Sequence, residues 1–273
     1  MVFLRSLAFN VFFYLHTIFW LFALLPTEIL PKSFFWRGVK TWAKVNRWAI
    51  TAIGGVKVEI RGLEHLPPGG SLIAAKHHST FETVSLLDLF GMPSFVMKKE
   101  LRKIPLFGWY TVKGEQISVD RSAGRLALTD MTERARREVG RGRQILIFPE
   151  GTRRPAGAAP HYKHGIAHLY EKLGVPMVPM ALNSGLFWGR HDFMRHPGTL
   201  VVEFLPPIPA GRDPEEVFAE MQQVIETASD RLIAEALAAP NPPPLPKAGA
   251  AYLARAAARA GGGSPAADAD PAG

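Results

Sequence analysis

Between residues 55 and 210 the chain repeats one pattern, a short apolar run that empties into a polar cluster. Ser71-Leu72-Ile73-Ala74-Ala75 leads into Lys76-His77-His78-Ser79-Thr80-Phe81-Glu82, and Ile145-Leu146-Ile147-Phe148 leads into Pro149-Glu150-Gly151-Thr152-Arg153. Phe95-Val96-Met97 runs into Lys98-Lys99-Glu100-Leu101, and Gln116-Ile117-Ser118-Val119 into Asp120-Arg121. Runs this short and this apolar read as central strands covered on both faces. Val56, Val58 and Ile60 alternate with polar residues, as on a half-buried strand, and Leu200 to Leu205 supplies a late one. Between them, Leu128, Met131, Thr132, Ala135 and Val139 form a helical stripe among charges. Asp213-Pro214-Glu215-Glu216 opens a further helix with a cap, a first-position proline and an early acid, and its apolar side includes Val217, Met221, Val224, Ile225, Leu232 and Ala236. The expected fold is α/β, a mostly parallel central sheet with helices on both faces. In such sheets ligand chemistry gathers at the carboxyl ends of strands, so these polar loops can face one crevice.

The ends of the chain have a different texture. Leu7 to Leu25 is a nearly unbroken apolar run interrupted by Asn10, His16 and Thr17, long enough for a membrane-embedded helix and equally suited to a re-entrant or interfacial one. Arg37, Lys40, Lys44 and Arg47 then recur at spacings of three and four, with Phe35, Val39 and Trp42 on another face and tryptophans at 36, 42 and 48. This basic amphipathic helix suits the headgroup layer; the alternative is a helix docked on the domain. No small-x-small cleavage site follows the apolar run, and the basic flank after Leu25 predicts a cytoplasmic (inner) membrane location with the catalytic domain facing the cytoplasm. From Pro240 the chain is rich in proline, alanine and glycine and reads as a mobile tail, with a transient helix over 250–260. The expected organisation is therefore 1–54 membrane-associated helices, 55–239 the α/β domain, and 240–273 a flexible tail.

Candidate chemistry concentrates in two polar loops. His77 and Glu82 are five positions apart, and Ser79-Thr80-Phe81-Glu82 is also a capping box opening a helix that carries Val84, Leu86, Leu87 and Leu89. In the other loop Arg153 offers paired planar donors suited to phosphate or carboxylate, while Glu150 can orient it or bind hydroxyls. His161, His164 and His168 could imitate a metal site on one helix face, but no acidic or cysteine ligand accompanies them, and a solvated or partly buried face is preferred.

These blocks, in this order, resemble the glycerolipid acyltransferase family, typified by 1-acyl-glycerol-3-phosphate acyltransferase, which converts lysophosphatidate to phosphatidate. The resemblance spans roughly residues 55 to 210 and rests on His77 to Glu82, Lys98 to Leu101 with Pro105 and Gly108, Ile117 to Arg121, Phe148 to Arg153, and Val175-Pro176-Met177-Val178-Pro179. One departure is that the first block most often ends in aspartate, where this chain has Glu82. The resemblance implies direct acyl transfer, with His77 as general base on a lysophospholipid hydroxyl and Glu82 fixing its tautomer. It implies Lys98, Arg153 and Arg121 near the acceptor's phosphate, and Glu150, Gly151 and Thr152 along its glycerol. It implies no metal or bound cofactor, with acyl-CoA or acyl-carrier protein as donor substrate, and membrane phospholipid and lysophospholipid as partners. Alternatives are acylation of another lysolipid, such as lyso-ornithine lipid or lysophosphatidylglycerol, or an inactive lipid-binding protein in which Glu82 is only a cap. Phe107, Trp109, Phe187 and Trp188 are candidate acyl-tunnel residues and equally candidate core.

Composition agrees. The 32 basic and 24 acidic residues give a net +8, which favours an anionic membrane surface or nucleic acid, and the apolar N-terminus selects the membrane, with no nucleic acid expected. The chain has no cysteine, which excludes a cysteinyl acyl-enzyme, and no Gly-x-Ser-x-Gly elbow supports Ser79 as a nucleophile.

Overall fold

A computed structural model describes residues 1–120 and 124–260. Seven strands form one sheet in the order β1-β7-β6-β2-β5-β3-β4. They are β1 (Val56–Arg61), β2 (Ser71–Ala75), β3 (Ser94–Lys98), β4 (Ile117–Val119), β5 (Gln144–Ile147), β6 (Met177–Leu182) and β7 (Gly198–Phe204). Every neighbouring pair is parallel except β6 with β7. The β6, β2, β5 and β3 strands therefore end at one edge of the sheet, and the polar loops they deliver are neighbours there.

The two central strands show why their sequences carry no polar side chain in the interior. On β2, Ile73 and Ala75 enter one apolar cluster while Leu72 and Ala74 enter the other; on β5, Leu146 opposes Ile145 and Ile147 in the same way. The second cluster is closed by α5 (Gly124–Gly140), α6 (Gly165–Leu173) and α7 (Pro214–Leu237) through Met131, Ala135, Ile166, Leu169, Met221 and Ile225. Asp213 caps α7 by accepting from the Glu215 and Glu216 amides, as the sequence predicts. The first cluster is closed by α1 (Val2–Ala23), α2 (Lys32–Ala52) and the one-turn α3 (Phe81–Val84), through Phe9, Ala49, Ile50 and Phe81.

Three expectations are corrected. The helix expected through Leu89 stops at Val84, because Arg47 of α2 takes the Ser85 carbonyl (2.8 Å) and grips the Asp88 carboxylate, turning the chain towards α2. For the same reason α2 is a docked helix, with Phe35, Trp36, Ala43 and Asn46 buried, and not one lying free in the headgroup layer. The segment after Pro240 is not a loose tail as far as residue 260. It ends in α8 (Ala250–Ala260), where Tyr252 packs into the first cluster against Gly157 and Arg255 holds both oxygens of buried Asp230 at 2.8 and 3.0 Å. Residues 261–273 lie outside the described residues.

Candidate active site

β2 ends at Ala75, and beyond Lys76 the chain reaches His77, whose ring lies flat on Phe148 just past β5 (centroids 4.0 Å, planes 19° apart). His77 Nδ1 is 3.0 Å from Glu82 Oε1, and its Nε2 takes no partner among the described residues. Glu82 is fully buried in the first turn of α3. The same Oε1 accepts from the backbone amides of His78 (2.7 Å) and Ser79 (2.6 Å), and Oε2 accepts from the Ser184 hydroxyl (3.0 Å) just beyond β6. Glu82 thus serves as a cap and as the partner of His77 at once. The Ser79 hydroxyl accepts from the Phe81 amide, so its place in the box is local and structural.

His78 points the other way. It is buried, neither ring nitrogen has a protein partner, and its β-carbon lies where a side chain on Gly185 would collide. Burial, reinforced by Lys76 and His77, holds its basicity well below the usual histidine range.

The loop after β5 approaches the same crest. Gly151 sits at φ +69°, the left-handed geometry a glycine accepts without penalty, and its amide closes a turn onto the Phe148 carbonyl (2.9 Å). The Arg154 amide donates to the His77 carbonyl (2.9 Å), which ties the two loops together. Arg153 donates to the Thr80 hydroxyl (2.7 Å) and keeps the rest of its guanidinium fork available beside the His77 loop. Exposed Thr152 lies at 3.5 Å from Arg190, a basic residue of the loop after β6 that no sequence pattern singled out.

Glu150 departs from its expected place along a ligand. It is 1% exposed and lies beneath the loop, accepting from the His77 amide (3.0 Å) and facing the Lys76 ammonium (3.3 Å). Lys76 also pairs with Glu226 of α7, which in turn accepts from the Tyr162 hydroxyl (2.8 Å). Burial raises both Glu150, against the opposing pull of Lys76, and Tyr162, the latter well above its usual range. This buried cluster went unseen in the sequence because Glu226 is 150 residues from Lys76 and sits in an ordinary helical pattern.

Lys98 ends β3, the strand beside β5, and is exposed; Lys99 is tied to Asp120. Arg121 lies outside the described residues. His164 stacks on Phe218 (4.2 Å), while His161 precedes the helix that carries His168. Phe187 and Trp188 are core; Phe107 and Trp109 are on the surface.

An imidazole with one nitrogen fixed on a carboxylate and the other facing outward can take a proton from a hydroxyl and return it to a leaving group. The chain is similar to known acyltransferases in sequence and in fold. Residues 57–183 match the acyltransferase family. Over 197 residues the chain is 34% identical to the 1-acyl-sn-glycerol-3-phosphate acyltransferase of Pseudomonas aeruginosa, covering 72% of this chain and 77% of that one. It is 30% identical over 179 residues to the human 1-acyl-sn-glycerol-3-phosphate acyltransferase alpha, covering 62% of each. The crystal structure of the 1-acyl-sn-glycerophosphate (LPA) acyltransferase PlsC from Thermotoga maritima shares the fold, with a TM-score of 0.70 over 85% of this chain and 98% of that one at 22% identity.

Proposed function

Because the chain belongs to the acyltransferase family and is an O-acyltransferase, we propose that it transfers a fatty acyl chain to the sn-2 hydroxyl of lysophosphatidate, giving phosphatidate. The donor is the thioester of acyl-CoA or acyl-carrier protein, and the reaction takes place at a membrane surface, where a single-chain acceptor resides.

His77 Nε2 takes the proton of the acceptor hydroxyl while its oxygen attacks the thioester carbonyl. The tetrahedral intermediate then expels the thiolate, which recovers the proton from the imidazolium. Glu82 holds Nδ1–H and so keeps Nε2 basic. Its other donors, the His78 and Ser79 amides and the Ser184 hydroxyl, fix the carboxylate before substrate arrives. Arg153 and Lys98 supply charge for the acceptor's phosphate, joined by Arg121. Gly151 and Thr152 offer backbone and hydroxyl along the glycerol. Glu150 works from beneath, as a positioning residue that holds the His77 backbone.

The observation that carries this reading is the His77 Nδ1–Glu82 contact with Nε2 outward on the crest shared with Arg153. The test is transfer of labelled acyl chain from acyl-CoA to lysophosphatidate in mixed micelles. His77→Ala is expected to lower kcat by about 10²–10⁴. A His77→Ala protein as active as the parent, or product that forms without acceptor, overturns the reading.

A further inference from the structure

Two of the four aromatic side chains that the sequence offered as tunnel or core lie outside the core, exposed on the surface. Phe107 and Trp109 belong to α4 (Phe107–Lys113), and Trp109 is 59% exposed. They share that surface with Val112 on α4 and with Leu101 and Ile104 in the turn before it. A monomeric soluble domain rarely gathers that much apolar side chain in 12 residues of surface without a partner.

The opposite side of the same segment is packed. Leu106 and Tyr110 join an apolar cluster with Leu24, Phe35 and Trp36, so α4 is built onto the end of α1 and the start of α2. The Tyr110 hydroxyl donates to the Leu21 carbonyl, and the Lys113 ammonium donates to the carbonyls of Glu28 and Leu30 at 2.9 Å each. The backbone is held in shape. Leu106 sits at φ +61°, the Phe107 amide closes on the Pro105 carbonyl, and a side chain on Gly108 would strike the Arg102 carbonyl. A leucine stays in that geometry only where the surrounding packing over-determines it. The exposed apolar surface is thus a maintained shape rather than a frayed end.

Its neighbourhood identifies the occupant. α1, to which α4 is tied, is the one described helix long and apolar enough to cross a membrane, and it exposes Ile18, Phe19 and Phe22 at the end near α4. Charge points the same way. From Lys98 to Lys113 the chain has five basic residues and one acid, the composition of an interfacial element that meets anionic lipid.

We infer that the segment Lys98 to Lys113 is a second lipid-contacting face, with Phe107, Trp109 and Val112 seated at the headgroup level of an anionic bilayer beside α1. The inference rests on the membrane-associated reading above and adds to it a named element and a geometry. α1 and α4 give two points of attachment, which fix the tilt of the domain. Lys98, at the mouth of the site, then lies at the level from which a lysolipid acceptor is drawn.

The absence of cysteine makes the test direct, since single-cysteine variants can each carry one nitroxide. Trp109→Cys is compared with Ile18→Cys on α1 and Glu171→Cys at an exposed position of α6, in vesicles of phosphatidylglycerol and phosphatidylethanolamine. Collision with oxygen and with a water-soluble nickel chelate is measured at each site. The label at 109 is expected to resemble that at 18, open to oxygen and shielded from nickel. If 109 resembles 171 while 18 is in lipid, the inference fails and the membrane reading stands; if 18 is also aqueous, both fail. Spin–spin broadening at 109 in place of lipid contact would mean that a second copy covers the patch, which also overturns it. In parallel, a Phe107→Ser, Trp109→Ser, Val112→Ser triple variant removes surface side chains only. It is expected to bind the same vesicles about tenfold more weakly or worse. Its transfer to a bilayer-embedded acceptor falls accordingly, and transfer to a short-chain dissolved acceptor is unchanged. An equal loss on both acceptors, or no loss of vesicle binding, overturns the inference.

Discussion

Glu82 shows that the longer carboxylate still reaches the His77 ring where the resemblance leads one to expect aspartate. One oxygen collects His77 and two backbone amides and the other collects Ser184, so the extra methylene is used to reach four donors in a fully buried position. A cap and a partner for a histidine ring need the same thing here, an acceptor at the first turn of a helix. The adjacent histidines are then sorted by environment. His77 is partly exposed on a carboxylate, whereas His78 is buried with no protein partner on either nitrogen. The unfolded chain protonates an unperturbed histidine below about pH 6.5. Folded, His78 stays neutral there, so the unfolded state binds the extra proton and stability falls as pH drops through that window. His78→Leu removes that proton and two unpaired nitrogens. It is expected to keep transfer activity, to leave stability at pH 7.5 within about 1 kcal/mol, and to flatten the acid slope by up to about 1.4 kcal/mol per pH unit. Denaturant unfolding in mild detergent at pH 7.5 and 5.5 measures it. An unchanged slope would mean that the ring is hydrated or paired in solution.

Elements were legible where one local pattern decides them. Six of the seven strands lie where the apolar runs and alternation predict, β6 overlaps the Val175-Pro179 block that the family resemblance supplied, and Asp213-Pro214 marks the start of α7. The His77–Glu82 pairing was legible too, since five residues of chain bound the search. What the sequence concealed was settled by partners far along the chain: Arg47 ending α3, Tyr252 and Arg255 pinning α8, and Glu226 reaching Lys76 under the site. Glu150 lies in the expected loop but on its inner side, because spacing cannot say whether a carboxylate faces a ligand or the core. The buried cluster it joins has an asymmetry that can be measured. Lys76 is the one ammonium between two carboxylates, Glu150 and Glu226. Removing Glu226 leaves Lys76 with Glu150, a matched pair. Removing Lys76 leaves two buried carboxylates facing each other, the kind of uncompensated charge that costs about 3–5 kcal/mol. Lys76→Met is therefore expected to destabilise substantially more than Glu226→Gln in denaturant unfolding, and the reverse order would refute this account of the cluster.

At the scale of the molecule, α1 decides how the enzyme meets its membrane. Its length and composition permit spanning, yet its inner side is bound to the domain from end to end. Ser6 accepts from the Arg195 amide and the Asn10 carboxamide oxygen from the Arg195 guanidinium, both at 2.8 Å. Phe9 and Phe13 pack edge-on against Trp188, His16 meets Asn46 at 3.2 Å, and Trp20 reaches the cluster shared with α4. Arg195, sandwiched over Trp188 at 4.5 Å, is pushed down to about 10 by burial and stays charged at neutral pH, so this joint persists across the working range. A helix crossing the bilayer upright would have to leave these partners, and burying Phe9 alone contributes about 1.5–3 kcal/mol. Lying flat instead, α1 offers lipid the opposite stripe of Phe3, Leu7, Val11, Leu15 and Phe22, all exposed. The two orientations put the ends of α1 in different places. Flat, Val2 and Ile29 face the same aqueous side; upright, they face opposite sides. Val2→Cys and Ile29→Cys in sealed vesicles are therefore expected to react alike with a membrane-impermeant maleimide added outside, both or neither according to the side on which the domain sits. Labelling of one end without the other would show that the docked helix comes away from the domain and crosses the bilayer.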